Sequence, residues 1–230
     1  MSAAVTAPIP ERVAALDSIK LDKGSHSNFD DGHCAMEVVS WLAGQGFTDA
    51  PACASPVLTT FTIGLNDSWD DEQRQKLVPF LPRMVGTRGD GQDEARSFLA
   101  LDWLIRTYTP AWLDAAGLTV EAASLRNHRR IVDLVSARSV ASSVRAAQSK
   151  ADAVGDAARA AAWAAAWAAA GAAARAAAWA AARAAAWDAA WDAARTAAGD
   201  ALNPTVVALQ LSAIDLLDRM IDPSKVSDDD

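Results

Sequence analysis

The chain has 230 residues, a formal net charge of −8 and a sequence pI near 4.8. Apolar residues make up 51% and there are two cysteines, which excludes a wholly disordered chain and a disulfide-stapled scaffold. The acidic balance speaks against broad nucleic-acid binding, because neutralising phosphates requires clustered Lys and Arg.

The N-terminus, Met1 to Pro10, has neither a basic leader nor a long apolar run, and Glu11, Arg12 and Asp17 follow at once. It does not read as a secretory signal. The one candidate for a membrane span, Ala160–Ala174 between Arg159 and Arg175, is shorter than the roughly 20 apolar residues a span requires. A cytoplasmic chain without a membrane partner is expected. In that compartment Cys34 and Cys53 read as thiols or metal ligands before they read as a disulfide.

Residues 1–150 predict an N-terminal domain of short helices. Asp30 or Asp31 is expected to cap a helix through Cys34, Met36, Val38, Val39 and Leu42 that stops at Gly44 or Gly46. Ser55-Pro56 supplies a cap and a first-turn proline for Val57–Leu65, which Asn66-Asp67-Ser68 should end. A further turn or two is expected over Asp70–Leu77. Pro79, Pro82, Gly86 and Gly89 predict an irregular stretch over 79–90. Asp90 then opens a helix carrying Phe98, Leu101, Leu104, Ile105 and Tyr108 on one face, which Pro110 should terminate or kink. Asp102 and Arg106, four apart, are placed for an ion pair beside that face. Pro110–Ala116, Thr119–Leu125 and Arg129–Val135 continue the helical pattern. No Gly-rich phosphate loop, GxSxG elbow or HExxH motif occurs.

Of the 55 alanines, 31 lie in residues 151–200, with five of the nine tryptophans. From Gly155 the chain runs in four-residue units whose first members are Gly155, Arg159, Trp163, Trp167, Gly171, Arg175, Trp179, Arg183, Trp187, Trp191, Arg195 and Gly199. Alanine is the strongest helix former, so residues 151–202 predict a repeat helix. A period of four exceeds 3.6, and each unit therefore drifts by about 40° around a straight helix. Five large rings cannot stand in water, so the repeat calls for a surface of this chain, a second copy or a protein partner. Arg beside Trp also suggests base stacking, but the four arginines of this stretch face five aspartates.

Asn203-Pro204 caps a final amphipathic helix over 203–222, with Val206, Leu209, Ala213, Leu216, Leu217, Met220 and Ile221 on its apolar face. Its docking surface is expected on the repeat helix or on the N-terminal domain. The acidic tail, 223–230, reads as disordered.

One constellation carries possible chemistry: His26, His33, Cys34, Glu37 and Cys53, with Asp49 nearby. On a helix, His33, Cys34 and Glu37 share a side. The plainest reading is structural, with both cysteines as small buried groups, His33 at the surface and Glu37 a solvated charge. As a metal site, His26 (or His33), Cys34 and Cys53, with Glu37 in support, supply enough donors for zinc. As a catalytic set, Cys34 is the nucleophile, His26 its base and Glu37 or Asp49 the orienting group, the thiolate being favoured at a helix start. A Cys34–Cys53 disulfide is the remaining alternative. Asn66-Asp67 and Arg83 with Arg88 are weaker candidates for lining a pocket.

The series Gly24-Ser25-His26, Cys34-Ala35-Met36-Glu37, Leu42-Ala43-Gly44, Thr48 to Cys53, Pro56-Val57-Leu58, Asn66-Asp67 and Val85 to Gly89 resembles proteins of actinobacteria and their phages that pair such a segment with an Ala-rich repeat tail and a closing helix. The resemblance covers most of the chain; it implies an origin and no reaction, and it favours His26, Cys34, Glu37 and Cys53 acting together. The expected protein is all-α and serves as an interaction or scaffold protein through its repeat. The alternatives are a small zinc- or cysteine-dependent enzyme built on Cys34, and a phage-linked acidic protein that sequesters a host protein, although the acids are spread out rather than arrayed like phosphates.

Overall fold

The computed structural model describes residues 7–152 and 202–225. The predicted repeat helix, apart from Ala151, Asp152 and Leu202, lies outside the described residues, as do tail residues 226–230. Among the described residues all regular structure is helical and no strand occurs, so the all-α class holds. No described helix is long and apolar enough to cross a membrane.

The chain divides into two compact units, Met1–Arg96 with Leu217–Asp230, and Ser97–Leu216. The expected 1–150 domain is therefore split inside a helix, where a sequence reading has no loop or composition shift to mark a boundary.

In the first unit, α1 (Pro10–Ala14) starts on a proline. Ile9 N donates to the Leu42 carbonyl, and the Arg12 guanidinium lies 5.2 Å from the centre of the Trp41 ring while donating to the Trp41 carbonyl. These three contacts tie the N-terminal segment to the end of α2 (Ala35–Leu42). All of α2 except Trp41 is buried, so it is the central helix of the unit, packed against α3 (Pro56–Ser68) and α5 (Leu81–Met84). Its cap is Cys34 and not Asp30 or Asp31. Those two aspartates form a separate 3-10 turn closed by the Asn28 side chain, and Gly32, at φ 116°, breaks the run before the helix begins.

Ser55 and Pro56 start α3 as expected, with Ser55 Oγ accepting from Val57 N and Leu58 N. The helix runs through Asn66, Asp67 and Ser68 instead of ending before them, because Arg74 on α4 (Asp71–Gln75) donates to the Asn66 and Trp69 carbonyls at 2.7 Å each and satisfies the helix end there. Residues 79–90 are only half irregular. Leu77, Leu81 and Met84 recur at helical spacing and are fully buried, which carries a 3-10 turn over Val78–Phe80 into α5 despite its prolines.

The next helix, α6 (Asp93–Trp103), begins three residues after Asp90, whose carboxylate is committed to Arg96. Pro110 does not terminate it. A π turn over Leu104–Tyr108 leads directly into α7 (Thr109–Ala115), with Thr109 N and Oγ1 both donating to the Leu104 carbonyl. Widening the turn there accommodates a residue that lacks an N–H.

In the second unit, α8 (Thr119–Arg126) packs on α7 and on α10 (Ala141–Ala151). Residues 129–133 are not helical. Asp102, besides meeting Arg106 at 3.2 Å, accepts from Ile131 N at 2.8 Å, and Asp133 then caps α9 (Leu134–Ser139) through Ser136. The last helix, α11 (Asn203–Ile221), buries Leu209, Ala213, Leu216, Leu217, Met220 and Ile221, close to the predicted face. Trp103 Nε1 donates to Ser212 Oγ at 2.9 Å. After α11, residues 223–225 form a 3-10 turn, held by Lys225 and Asp222 at 2.8 Å, where a disordered tail was expected.

Candidate functional site

The best-defined polar constellation is built around Glu37, in the first turn of α2. Its side chain is 1% exposed, and a buried carboxylate is tolerated only when its oxygens find donors. It accepts from His26 N at 2.7 Å, His26 Nδ1 at 2.9 Å and Cys34 N at 2.7 Å. Since a carboxylate only accepts, the proton of this contact sits on Nδ1. Burial alone would raise the Glu37 pKa, but the N–H groups of His26 and Cys34 and the His26 ring reverse this and hold it below the usual range.

His26 comes from a loop, residues 21–34, that is tied along its length. Leu21 exchanges two hydrogen bonds with the Gln75 side chain. Asp22 N donates to the His33 carbonyl, and the Asp22 carbonyl accepts from Asn66 Nδ2. Gly24 N donates to Asp67 Oδ1. Asn66 Oδ1 accepts from Ala35 N, which anchors the same loop exit to α3. At Gly32 a Cβ would come within 2.9 Å of the His26 ring, so the backbone there is pressed against the imidazole.

Cys34 has its backbone in this clasp, while its thiol is buried. Desolvation pushes the thiol pKa up to about 12; backbone N–H groups at the helix start pull it down, and the neighbouring Glu37 charge opposes them. The helix start does not produce a thiolate because burial outweighs it. The geometry therefore joins His26, Cys34 and Glu37, with the carboxylate orienting the histidine, around a neutral thiol.

The other candidates lie apart. Cys53 is buried, its carbonyl accepting from Gly86 N and Arg88 N, and burial raises its pKa. Both cysteines are free, so no Cys34–Cys53 disulfide forms. Among the described residues no three His, Cys, Asp or Glu are placed to hold a metal ion. The zinc set of His26, Cys34 and Cys53 is thus not brought together. His33 precedes α2 and stacks on Phe29 with ring centres 4.3 Å apart. Asp49 shares no hydrogen bond with His26 or Cys34. Asn66 and Asp67 anchor the loop, and Arg83 pairs with Asp218 at 2.5 Å.

A second polar centre escaped the sequence reading. Arg96 is fully buried and meets Asp90 through both terminal nitrogens, at 2.7 and 2.5 Å. It also reaches Asp93 at 3.2 Å, the Met220 carbonyl at 2.9 Å, and the Thr87 and Ile221 carbonyls at 3.4 Å. Asp93 in turn accepts from Ser55 Oγ, and Ser55 N donates to Thr87 Oγ1. Its only local signals are the three- and six-residue spacings of two aspartates before an arginine, which are common on solvated helices.

Among the described residues of this all-α protein, both centres commit buried charges to fastening its own helices and loops. No family model, curated protein or solved structure matches the chain.

Proposed function

We propose that this chain is a helical interaction or scaffold protein whose Ala/Trp repeat mediates packing or self-association. One observation supports this above others: the His26–Cys34–Glu37 constellation is consumed by its own chain. The Glu37 oxygens are taken by backbone and ring donors, and the thiol is buried and neutral. The reading built on zinc- or cysteine-dependent chemistry at Cys34 lacks comparable support. The acidic-sequestration reading gains none either, since Asp71, Asp90, Asp102, Asp114 and Asp218 pair with arginines of the same chain. The resemblance to actinobacterial and phage proteins adds an origin to the proposal without adding a reaction.

The test is sedimentation of the full chain against a full-length variant with Trp163, Trp167, Trp179, Trp187 and Trp191 all changed to Ala, over a wide concentration range. Truncation before the repeat is unsuitable, because it removes α11 and strands Arg96 from the Met220 and Ile221 carbonyls. The expected result is a different profile for the variant: smaller species where self-association is lost, or a less compact monomer where internal packing is lost. Identical profiles at every concentration would remove the repeat from the function.

A further inference from the structure

Residues 126–150 carry Arg126, Arg129, Arg130, Arg138, Arg145 and Lys150 against a single acid, Asp133. The whole chain has a net charge of −8, so this stretch runs against its surroundings. The overall balance speaks against a broadly basic surface but not against one basic face. At physiological salt, charges more than about 8 Å away are largely screened, so the local charges decide a contact.

The fold turns the end of this stretch into such a face. Between α9 and α10, Val140 keeps a right-handed helical backbone, at φ −80° and ψ −13°, so residues 134–151 form a nearly continuous helix. Ala137, Val140, Val144, Ala147 and Ala151 are buried on one side of it. Arg138, Ser142, Arg145 and Ser149 are exposed on the other, at spacings of four, three and four, which gathers them in a stripe about 60° wide. Ser139 and Lys150, also exposed, border it. No Asp or Glu lies between Asp133, which caps α9, and Asp152, which follows α10. Arg74, Arg83, Arg96, Arg106 and Arg126 all pair with aspartates of the chain. Arg138, Arg145 and Lys150 have no ion-pair partner among the described residues.

The residue types and their spacing select the occupant. Guanidinium, ammonium and hydroxyl groups are the donors that contact phosphate oxygens. Arg138 and Arg145 stand about 10 Å apart along the helix, too far to clasp one phosphate, so the face suits a row of them. A protein partner would need apolar anchors at the centre of its contact, and Val135 is the one large apolar side chain exposed on this helix. Among the described residues no aromatic side chain is exposed, so unpaired bases have no stacking platform there. We propose that the Arg138–Ser142–Arg145–Ser149 face binds the phosphate backbone of a nucleic-acid duplex without reading its sequence. The site is separate from the repeat and does not depend on the repeat's packing role.

The test is fluorescence anisotropy of the full chain with a labelled DNA duplex of about 20 base pairs, over roughly 50 to 200 mM salt. Three cations on phosphates should give a log–log salt slope of about −3, the same for a second, unrelated sequence. Arg138→Gln/Arg145→Gln should flatten the slope by about 2, each single substitution by about 1, and the pair should lower affinity about tenfold or more at the lowest salt. Lys23→Gln/Lys76→Gln removes the same charge from exposed positions elsewhere and should leave the slope unchanged. Urea midpoints check that the variants, all at exposed positions, remain folded. Equal effects of the two double variants would overturn the proposal, because only net charge would then matter. Absence of binding at the lowest salt, or undiminished binding by Arg138→Gln/Arg145→Gln, would overturn it as well. Tighter binding of poly-glutamate than of the duplex would overturn it in favour of an acidic protein partner, and tighter binding of single-stranded DNA in favour of an unpaired strand.

Discussion

Glu37 Oε2 lies 2.9 Å from His26 Nδ1, across eleven residues of sequence, and the same oxygen accepts from Cys34 N at 2.7 Å. One carboxylate therefore closes the loop on α2 and completes the first turn of that helix. A glutamine cannot keep all three contacts, because with its oxygen in the place of Oε2 its amide nitrogen would face the His26 N–H that Oε1 accepts at 2.7 Å. Glu37→Gln is expected to cost about 2–4 kcal/mol in urea unfolding, the range for leaving buried donors unpaired. Its pH dependence separates charge from shape. The folded-state pKa lies below the ordinary value near 4.5, so the contribution of the carboxylate is complete above that pH and is lost as pH falls through the folded value. The stability difference between the natural sequence and Glu37→Gln should shrink on acidification through this window. A difference that stays constant would show that the charge contributes nothing.

Gly32 offers a test of the loop's path that leaves every polar group in place. Its φ is 116°, and an added Cβ would meet His26 Cδ2 and Nε2 at 2.9 Å and Asp22 Oδ2 at 3.0 Å. Gly24, at φ 86°, has open space around the same position. Gly24→Ala should lower stability by about 1 kcal/mol, from backbone strain alone. Gly32→Ala should lower it by about 2–4 kcal/mol, because strain and overlap add. Thermal melts of the two variants decide the point, and equal losses would contradict the close packing of the His26 ring on Gly32.

The buried Cys34 thiol sets an expectation for labelling. With its pKa near 12, the thiolate fraction at neutral pH falls roughly a thousandfold below that of an ordinary cysteine, and burial slows access further. Cys34 and Cys53 should both resist iodoacetamide in the folded protein and react readily in urea. Purified protein should likewise carry no stoichiometric zinc. Rapid native labelling of Cys34 alone, or zinc lost in a Cys34→Ser variant, would restore the enzymatic reading.

How far the sequence reveals this structure depends on how local each cause is. Ser55-Pro56 and Asn203-Pro204 carry their start signals in adjacent residues, and both helices begin there. The end of α3 is set by Arg74, a residue beyond it, so its final turn was not legible. Helical spacing grouped His33 with Glu37, but His33 lies before α2 and stacks on Phe29. The partner is His26, brought in by a loop whose course depends on Gly32, Asn66 and Asp67, and no periodicity records such a path. Pro110 shows the converse: the local rule for a helix break was sound, and a π turn with Thr109 on the Leu104 carbonyl overrode it.

Arg96 is the residue whose loss should be felt most widely. Its partners stand at 87, 90, 93, 220 and 221, so one guanidinium joins the loop before α6 to the carboxyl end of α11. Burying the charge is favourable only because every face of the fork is occupied; without it, two carboxylates and three carbonyls lose a donor. Arg96→Ala is expected to cost about 3–5 kcal/mol in urea unfolding, the range for breaking a buried pair from one side. Arg96→Lys should recover little, since a point charge cannot span Asp90 and the Met220 carbonyl together. Asp90→Asn supplies the complementary measurement. Burial alone would raise the Asp90 pKa, but the Arg96 hydrogen bonds hold it below the ordinary value near 3.8, so the variant's deficit should be full at neutral pH and shrink as the solution is acidified through the folded pKa. Near-complete rescue by lysine would show that Arg96 acts as a charge alone and not as the planar fork that fastens α11.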